Sequence, residues 1–329
     1  MVKRRTFLAG IGGVAVAGSA AAYLLTREDA RKEKTFKPPL QTENRLFRYV
    51  PDTGELTMMP GAYGTSNFLP SIAYGEGAVW TGDVVLHHVD PDDGSEGDPI
   101  ELHGTRAWLY DITIGFRDVW AVNNYGLHRF DPGGDDLLGF RAIPGSARTV
   151  AIGFGSVWVG DARGALFRVE PSRKLPILAT LQVGDVLSGV TMTDEAVWVS
   201  DEFGALIPID PSVDHQQEAI AIGGSPKGLA ATSDRLWTVD PQAESVTVVD
   251  IETRKPIKQI PVGGQPIDVA AGLGAVWVAD FEGRIVRIDA AALSAVDNKS
   301  VGGPVAALAI DEDNGVIWLR TGGTRLTIL

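Results

Sequence analysis

The sequence predicts an all-β fold, a seven-bladed β-propeller of four-stranded antiparallel blades closed by its N-terminal segment. Three observations predict it. Seven of the eight tryptophans fall at Trp80, Trp120, Trp158, Trp198, Trp237, Trp277 and Trp318, in steps of 38 to 41 residues. Each follows an aliphatic residue, and an Asp or Asn stands three residues later in six of the seven repeats, with Thr321 in the last. Short β-branched, alternating segments separated by Gly, Asp and Pro fill each unit, and no segment carries a long helical period. Four strands in a unit of about 40 residues is the pattern of a propeller blade.

In chain order, the first 25 residues read as an address. Arg4-Arg5, one residue, then Phe7-Leu8 opens a weakly apolar stretch rich in Gly and Ala. This resembles a twin-arginine export signal, either cleaved near Ala20-Ala21-Ala22 or kept as a single membrane anchor. Residues 26–42 form a charged linker, and the propeller is expected over 43–329. The sixth repeat shows the unit well: Asp268–Gly272, Ala275–Ala279 and Arg284–Ile288, with Lys258–Val262 arriving as the outer strand of the repeat before. The tryptophan on each second strand is expected to fill the gap between neighbouring blades.

Two segments compete to close the ring. Leu46–Val50 and Leu56–Pro60 match third and fourth strands, and Val50 precedes Trp80 by 30 residues, as other turn acids precede their next Trp. Arg325–Leu329 is also a third-strand match. The N-terminal copy is expected in the seventh blade, which removes an exposed sheet edge.

Segments such as GLGAVWVADFEGRIVRIDAAAL (272–293) and IPVGGQPIDVA (260–270) resemble the repeats of YVTN-type and virginiamycin B lyase-like propellers, over about residues 44 to 329. The resemblance implies the fold. It says little about activity, because such repeats are scaffolding shared by many functions.

Composition narrows the function. Net charge is −13, with 42 Asp+Glu against 29 Lys+Arg. That balance argues against nucleic acid, which needs a basic surface. With no cysteine there are no disulfides, thiolate metal sites or cysteine nucleophile.

Loops that depart from the repeat are where function is grafted. In a propeller, the turns from second to third strand and from fourth to next first strand emerge on one face. The fourth-to-first loop is long in the first repeat, Gly61 to Ser71, and extended in the second, Gly104 to Asp111, where Trp108 stands outside the tryptophan register. Ten residues before each repeat Trp lies a mouth-lining position: Pro70, Tyr110, Arg148, Ser188, Lys227, Ile267 and, allowing a one-residue insertion, Ala307. Trp108, Tyr110, Asp111, Arg148, Lys227 and Asp268 are therefore the candidate ligand-binding residues. Two cations beside aromatics suit a carboxylate or phosphate-bearing ligand. The recurrent Asp or Asn after each Trp reads instead as a turn acceptor wanted in every blade.

No catalytic residue, metal set or cofactor is identified. A virginiamycin-type lyase is expected to place a His base and acidic metal ligands at the mouth, and no His occupies a mouth-lining position. A lactonase-like propeller needs several carboxylates around one divalent ion, and only Asp111 and Asp268 qualify. The expectation is an exported, periplasmic or extracellular binding or scaffold protein, a monomer taking a small molecule or protein at the mouth. The alternative is a metal-assisted lyase or lactonase.

Overall fold

The computed structural model describes residues 44–61, 70–104, 108–133 and 136–322. The leader, the linker, most of the first long loop and the strand expected at 325–329 lie outside these residues. Among the described residues every regular element is a strand, and they form seven antiparallel sheets of four or five strands. Blades are numbered here by their tryptophan, from Trp80 in blade 1 to Trp318 in blade 7.

Six blades are continuous in sequence. Blade 3 is typical: Ala147–Gly153 innermost, then Ser156–Asp161, Ala165–Val169 and the outer Ile177–Gln182. The seventh is composite. Arg45–Val50 pairs with Val316–Thr321, from Arg45↔Thr321 to Tyr49↔Ile317, and Glu55–Met58 forms its outer edge. The chain's first described strands thus close the ring against its last, as the turn spacing anticipates.

The seven repeat tryptophans are at most 2% exposed. Each packs against the next blade's middle strands: Trp120 joins Val157, Val159, Phe167 and Val169, and Trp318 joins Val79 and Val89 across the closing seam. Burying such a ring removes on the order of 200 Å² from water. The indole N–H also finds a partner in five blades, as in Trp158 Nε1 to Gly153 O at 3.1 Å and Trp198 Nε1 to Thr193 Oγ1 at 3.1 Å.

The recurrent acids do what a turn requires. Asp161 Oδ1 accepts the N–H groups of Arg163 and Ala165, both at 2.8 Å. Asp201 Oδ2 accepts the Asp185 N–H at 3.2 Å, tying the second-to-third turn to the loop that enters the same blade. Blade 4 departs at its edge, where the outer strand is split into His215–Gln216 and Ile220–Ala221. Its neighbour strand contains Pro208, which has no N–H to give, so pairing beside it cannot continue evenly. Gln217 instead donates to Pro208 O at 2.8 Å.

Candidate functional site

The mouth is built by a β-bulge repeated around the ring. Pairing between first and second strands slips by one residue between Leu109 and Asp111, Ala147 and Thr149, Leu187 and Gly189, Pro266 and Asp268, and Val305 and Ala307. The extra residue in each case is Tyr110, Arg148, Ser188, Ile267 and Ala306. A bulge re-aims one side chain while the strand continues beyond it. In four of these blades it falls on the expected mouth-lining position. Blade 7 corrects the expectation: its hairpin is two residues longer, because Asp311 pairs with Val316 where Gly272 pairs with Ala275. Ala306, not Ala307, therefore takes the mouth position. In blade 5 the irregularity comes later, beyond Lys227, where Gly228 has φ +61°.

Two of the six candidates come together at blades 2 and 3. The Arg148 guanidinium lies over the Tyr110 ring, 4.1 Å from its centre. Arg148 is exposed, and no acid pairs with it among the described residues. Stacking on an aromatic face at an exposed site contributes about 0.5–1 kcal/mol and holds the planar fork in one attitude.

Asp111, next to Tyr110, points instead into the seam. Its Oδ2 accepts the Val150 N–H at 2.9 Å and the Thr149 hydroxyl at 3.1 Å, while Oδ1 accepts the Ile112 N–H at 2.9 Å. Asp268 repeats this arrangement between blades 6 and 7. Its Oδ2 takes the Leu308 N–H at 3.0 Å and its Oδ1 the Val269 N–H at 2.8 Å. The inner strands present an unpaired edge to the channel, and these carboxylates satisfy part of it. Burial pushes the Asp111 carboxyl up to about 7, opposed by its backbone bonds and reinforced by the charge of Asp268. Burial pushes Asp268 up to about 6.

The other two candidates have local partners. Lys227 Nζ is ion-paired with Glu202 of blade 4. Trp108 is half-buried at the entry to blade 2, with its N–H on Asn124 Oδ1 at 3.1 Å. Among the described residues, no group of three or more His, Asp or Glu side chains is gathered as a metal ion would require.

The sequence reading missed Glu202 and Arg320. Glu202 stands four residues after Trp198, where blade 2 has Asn124 and blade 3 has Ala162. Beside it, Phe203 is 72% exposed on the same face, the most exposed large apolar side chain described. Arg320 is fully buried in the seam between blades 7 and 1, with Nε donating to Thr81 Oγ1 at 3.1 Å. It lies two residues after Trp318, where the other repeats carry Gly, Ala, Ser or Val. That departure was legible. In the same seam burial lowers the pKa of His87, Glu96 opposes this from 3.3 Å, and the Arg320 charge adds to it.

The fold and mouth define a seven-bladed β-propeller with, among the described residues, one open cationic-aromatic contact at its rim. Solved structures share the architecture. A streptogramin B lyase matches with a TM-score of 0.66 at 13% identity, over 84% of this chain and 97% of that one. The Pan2 WD40 domain of Neurospora crassa matches with a TM-score of 0.63 at 12% identity, over 78% and 89%. BamB from Moraxella catarrhalis matches with a TM-score of 0.58 at 14% identity, over 82% and 88%. At these identities the likeness is one of fold alone. The chain matches no family model and no curated protein sequence.

Proposed function

We propose that this chain is an exported propeller that acts as a binding or scaffold module, taking a carboxylate or phosphate group of a small molecule or partner protein at the mouth of blades 2 and 3. One observation carries the reading. Arg148 offers an exposed guanidinium, flattened on Tyr110 and unpaired with any described acid, on a chain of net charge −13. Such a fork binds oxyanions through paired N–H bonds. Export rests on the Arg4-Arg5 leader pattern, cleaved or retained as one anchor, and kinship with YVTN-type and lyase-like repeats rests on the blade motif. The working state is a monomer.

The metal-assisted lyase or lactonase alternative would have to recruit Asp111 and Asp268. Both oxygens of each already accept hydrogen bonds from backbone N–H groups. Titration calorimetry with citrate and with inorganic phosphate at constant ionic strength tests the proposal. The wild type is expected to bind at least one of them, and Arg148→Ala at least tenfold more weakly with unchanged circular dichroism. Equal binding by the variant, or none by the wild type, overturns the reading. A stoichiometric Ca²⁺ or Mg²⁺ bound at the mouth would favour the enzyme instead.

A further inference from the structure

The opposite face of the ring carries a second departure from the repeat. Six residues before the repeat tryptophan, the inner strands of blades 1 to 4 place Tyr74, Ile114, Ile152 and Met192, and the longer hairpin of blade 7 places Ile310. These side chains plug the seams. A Cβ on Gly75, Gly115 or Gly153 of the preceding blade would stand 2.9, 2.9 or 2.7 Å from Ile114, Ile152 or Met192. Ile310 stands as close, at 2.9 Å, to the same point on Gly272. Blades 5 and 6 break the rule with Ala231 and Ala271, faced by Thr193 and Thr232 of the preceding blades in place of glycine.

Beside Ala271 a cleft of about 520 Å³ opens between blades 5 and 6. Ala231, Ala271, Ala275 and Ala290 are among the residues that line it, and Thr232, Ser233, Asp234 and Arg235 supply polarity. The Thr232 hydroxyl is already committed, accepting from Trp237 Nε1 at 3.2 Å. Arg235 crosses the seam and donates through Nη1 to Ala290 O. Its Nε is buried and makes no hydrogen bond, although Asp234 Oδ2 lies 3.3 Å away. The Asp234 side chain is 61% exposed, so water holds most of its charge and the pairing is weak. A cleft of this size, open to solvent, with alanines along one side and a cation at its polar edge, takes a small amphipathic ligand.

We propose that the cleft between blades 5 and 6 binds a small monocarboxylic acid, its carboxylate on Arg235 and its hydrocarbon against Ala231, Ala271 and Ala275. The site is separate from the mouth and does not depend on that reading.

Hexanoate and hexan-1-ol, titrated into the full chain by calorimetry and ligand-observed NMR, test it. Hexanoate is expected to bind the wild type at least tenfold more tightly than the alcohol. Ala271→Ile introduces the side chain that blades 2 and 3 carry, facing Thr232 here in place of a glycine; with circular dichroism unchanged, it is expected to weaken hexanoate at least tenfold. Arg235→Gln is expected to erase the preference for acid over alcohol. Arg148→Ala, at the other face, is expected to leave hexanoate binding unchanged. Failure of hexanoate to bind the wild type, equal binding by Ala271→Ile, or loss only in Arg148→Ala overturns the proposal.

Discussion

Arg148 and Lys227 hold the same place in the repeat, ten residues before Trp158 and Trp237, and both carry a positive charge into the mouth. Their surroundings separate them. Arg148 rests on Tyr110 of blade 2, and the turn of that blade offers the neutral Asn124. Lys227 faces blade 4, whose equivalents are Ser188 and Glu202, and Glu202 neutralises it. The difference teaches that a mouth residue is defined by the preceding blade as much as by its own. The mouth position turns each side chain toward the preceding blade, so one residue four after a tryptophan decides whether a cation is open or closed.

The floor beneath the two regions differs in the same way, and its expected effect is the largest. Asp111 joins blades 2 and 3 with a titratable group, whereas Ser188 joins blades 4 and 5 with a neutral hydroxyl on Pro226 O at 2.8 Å. Blades 4 and 5 also approach so closely that a Cβ on Gly189 would stand 2.9 Å from the Gly228 backbone. The folded Asp111 carboxyl titrates at about 7 against an ordinary 3.8. Between those values the native state holds a proton that the unfolded chain has released, so stability falls as pH rises and levels off above 7. From pH 5 to pH 8 the Asp111 share is about 3 kcal/mol. Asp268, at about 6, adds about half as much over the same interval. Urea unfolding at pH 5 and pH 8 should show this decline in the wild type and a clearly smaller one in Asp111→Asn. An unchanged slope would mean that Asp111 stays ionised, held by its three hydrogen bonds.

The next effect separates the cations directly. Arg148→Ala should lower oxyanion affinity at least tenfold, about 1.4 kcal/mol. Lys227→Ala should change it by less than about twofold, because Glu202 already cancels that charge at a pair of the kind that contributes little. Calorimetry with citrate reads both. Equal losses would show that the mouth senses net charge and that the Tyr110 stack is incidental.

How much of this was legible follows from what repeats. The tryptophan period gave the blade count, and the 30-residue step from Val50 to Trp80 gave the closing strand. The mouth-lining position was legible because the bulge recurs at one place in the period. Arg320 and the Ala231–Ala271 pair were legible by the same comparison, one as a charge among small residues and the other as small residues among large. The roles of Asp111 and Asp268 were hidden. Four of their five acceptor bonds lead to backbone N–H groups, two of them on the neighbouring blade, which every residue but proline possesses and no side chain announces. Glu202 was hidden because its partner lies across a seam, in the next repeat.

The smallest expected effect is the most discriminating. Glu202 and Lys227 are 29% and 18% exposed, and breaking their pair with Glu202→Gln should cost about 0.5 kcal/mol of stability. It leaves Lys227 uncompensated and adds one positive charge to the mouth without adding an aromatic platform. Tyr110→Leu does the reverse, leaving Arg148 charged and unpaired while removing the ring beneath it. If free charge alone makes an oxyanion site, Glu202→Gln should strengthen citrate binding about two- to fivefold or raise its stoichiometry, and Tyr110→Leu should lose little. If the ring is needed to hold the fork, Tyr110→Leu should weaken binding about threefold and Glu202→Gln should gain nothing. The geometry favours the second outcome, because an ammonium on a flexible stem has no planar fork to preorganise and no ring below it. A gain in Glu202→Gln equal to the loss in Arg148→Ala would make the two halves of the mouth equivalent and remove the asymmetry on which the binding site was assigned.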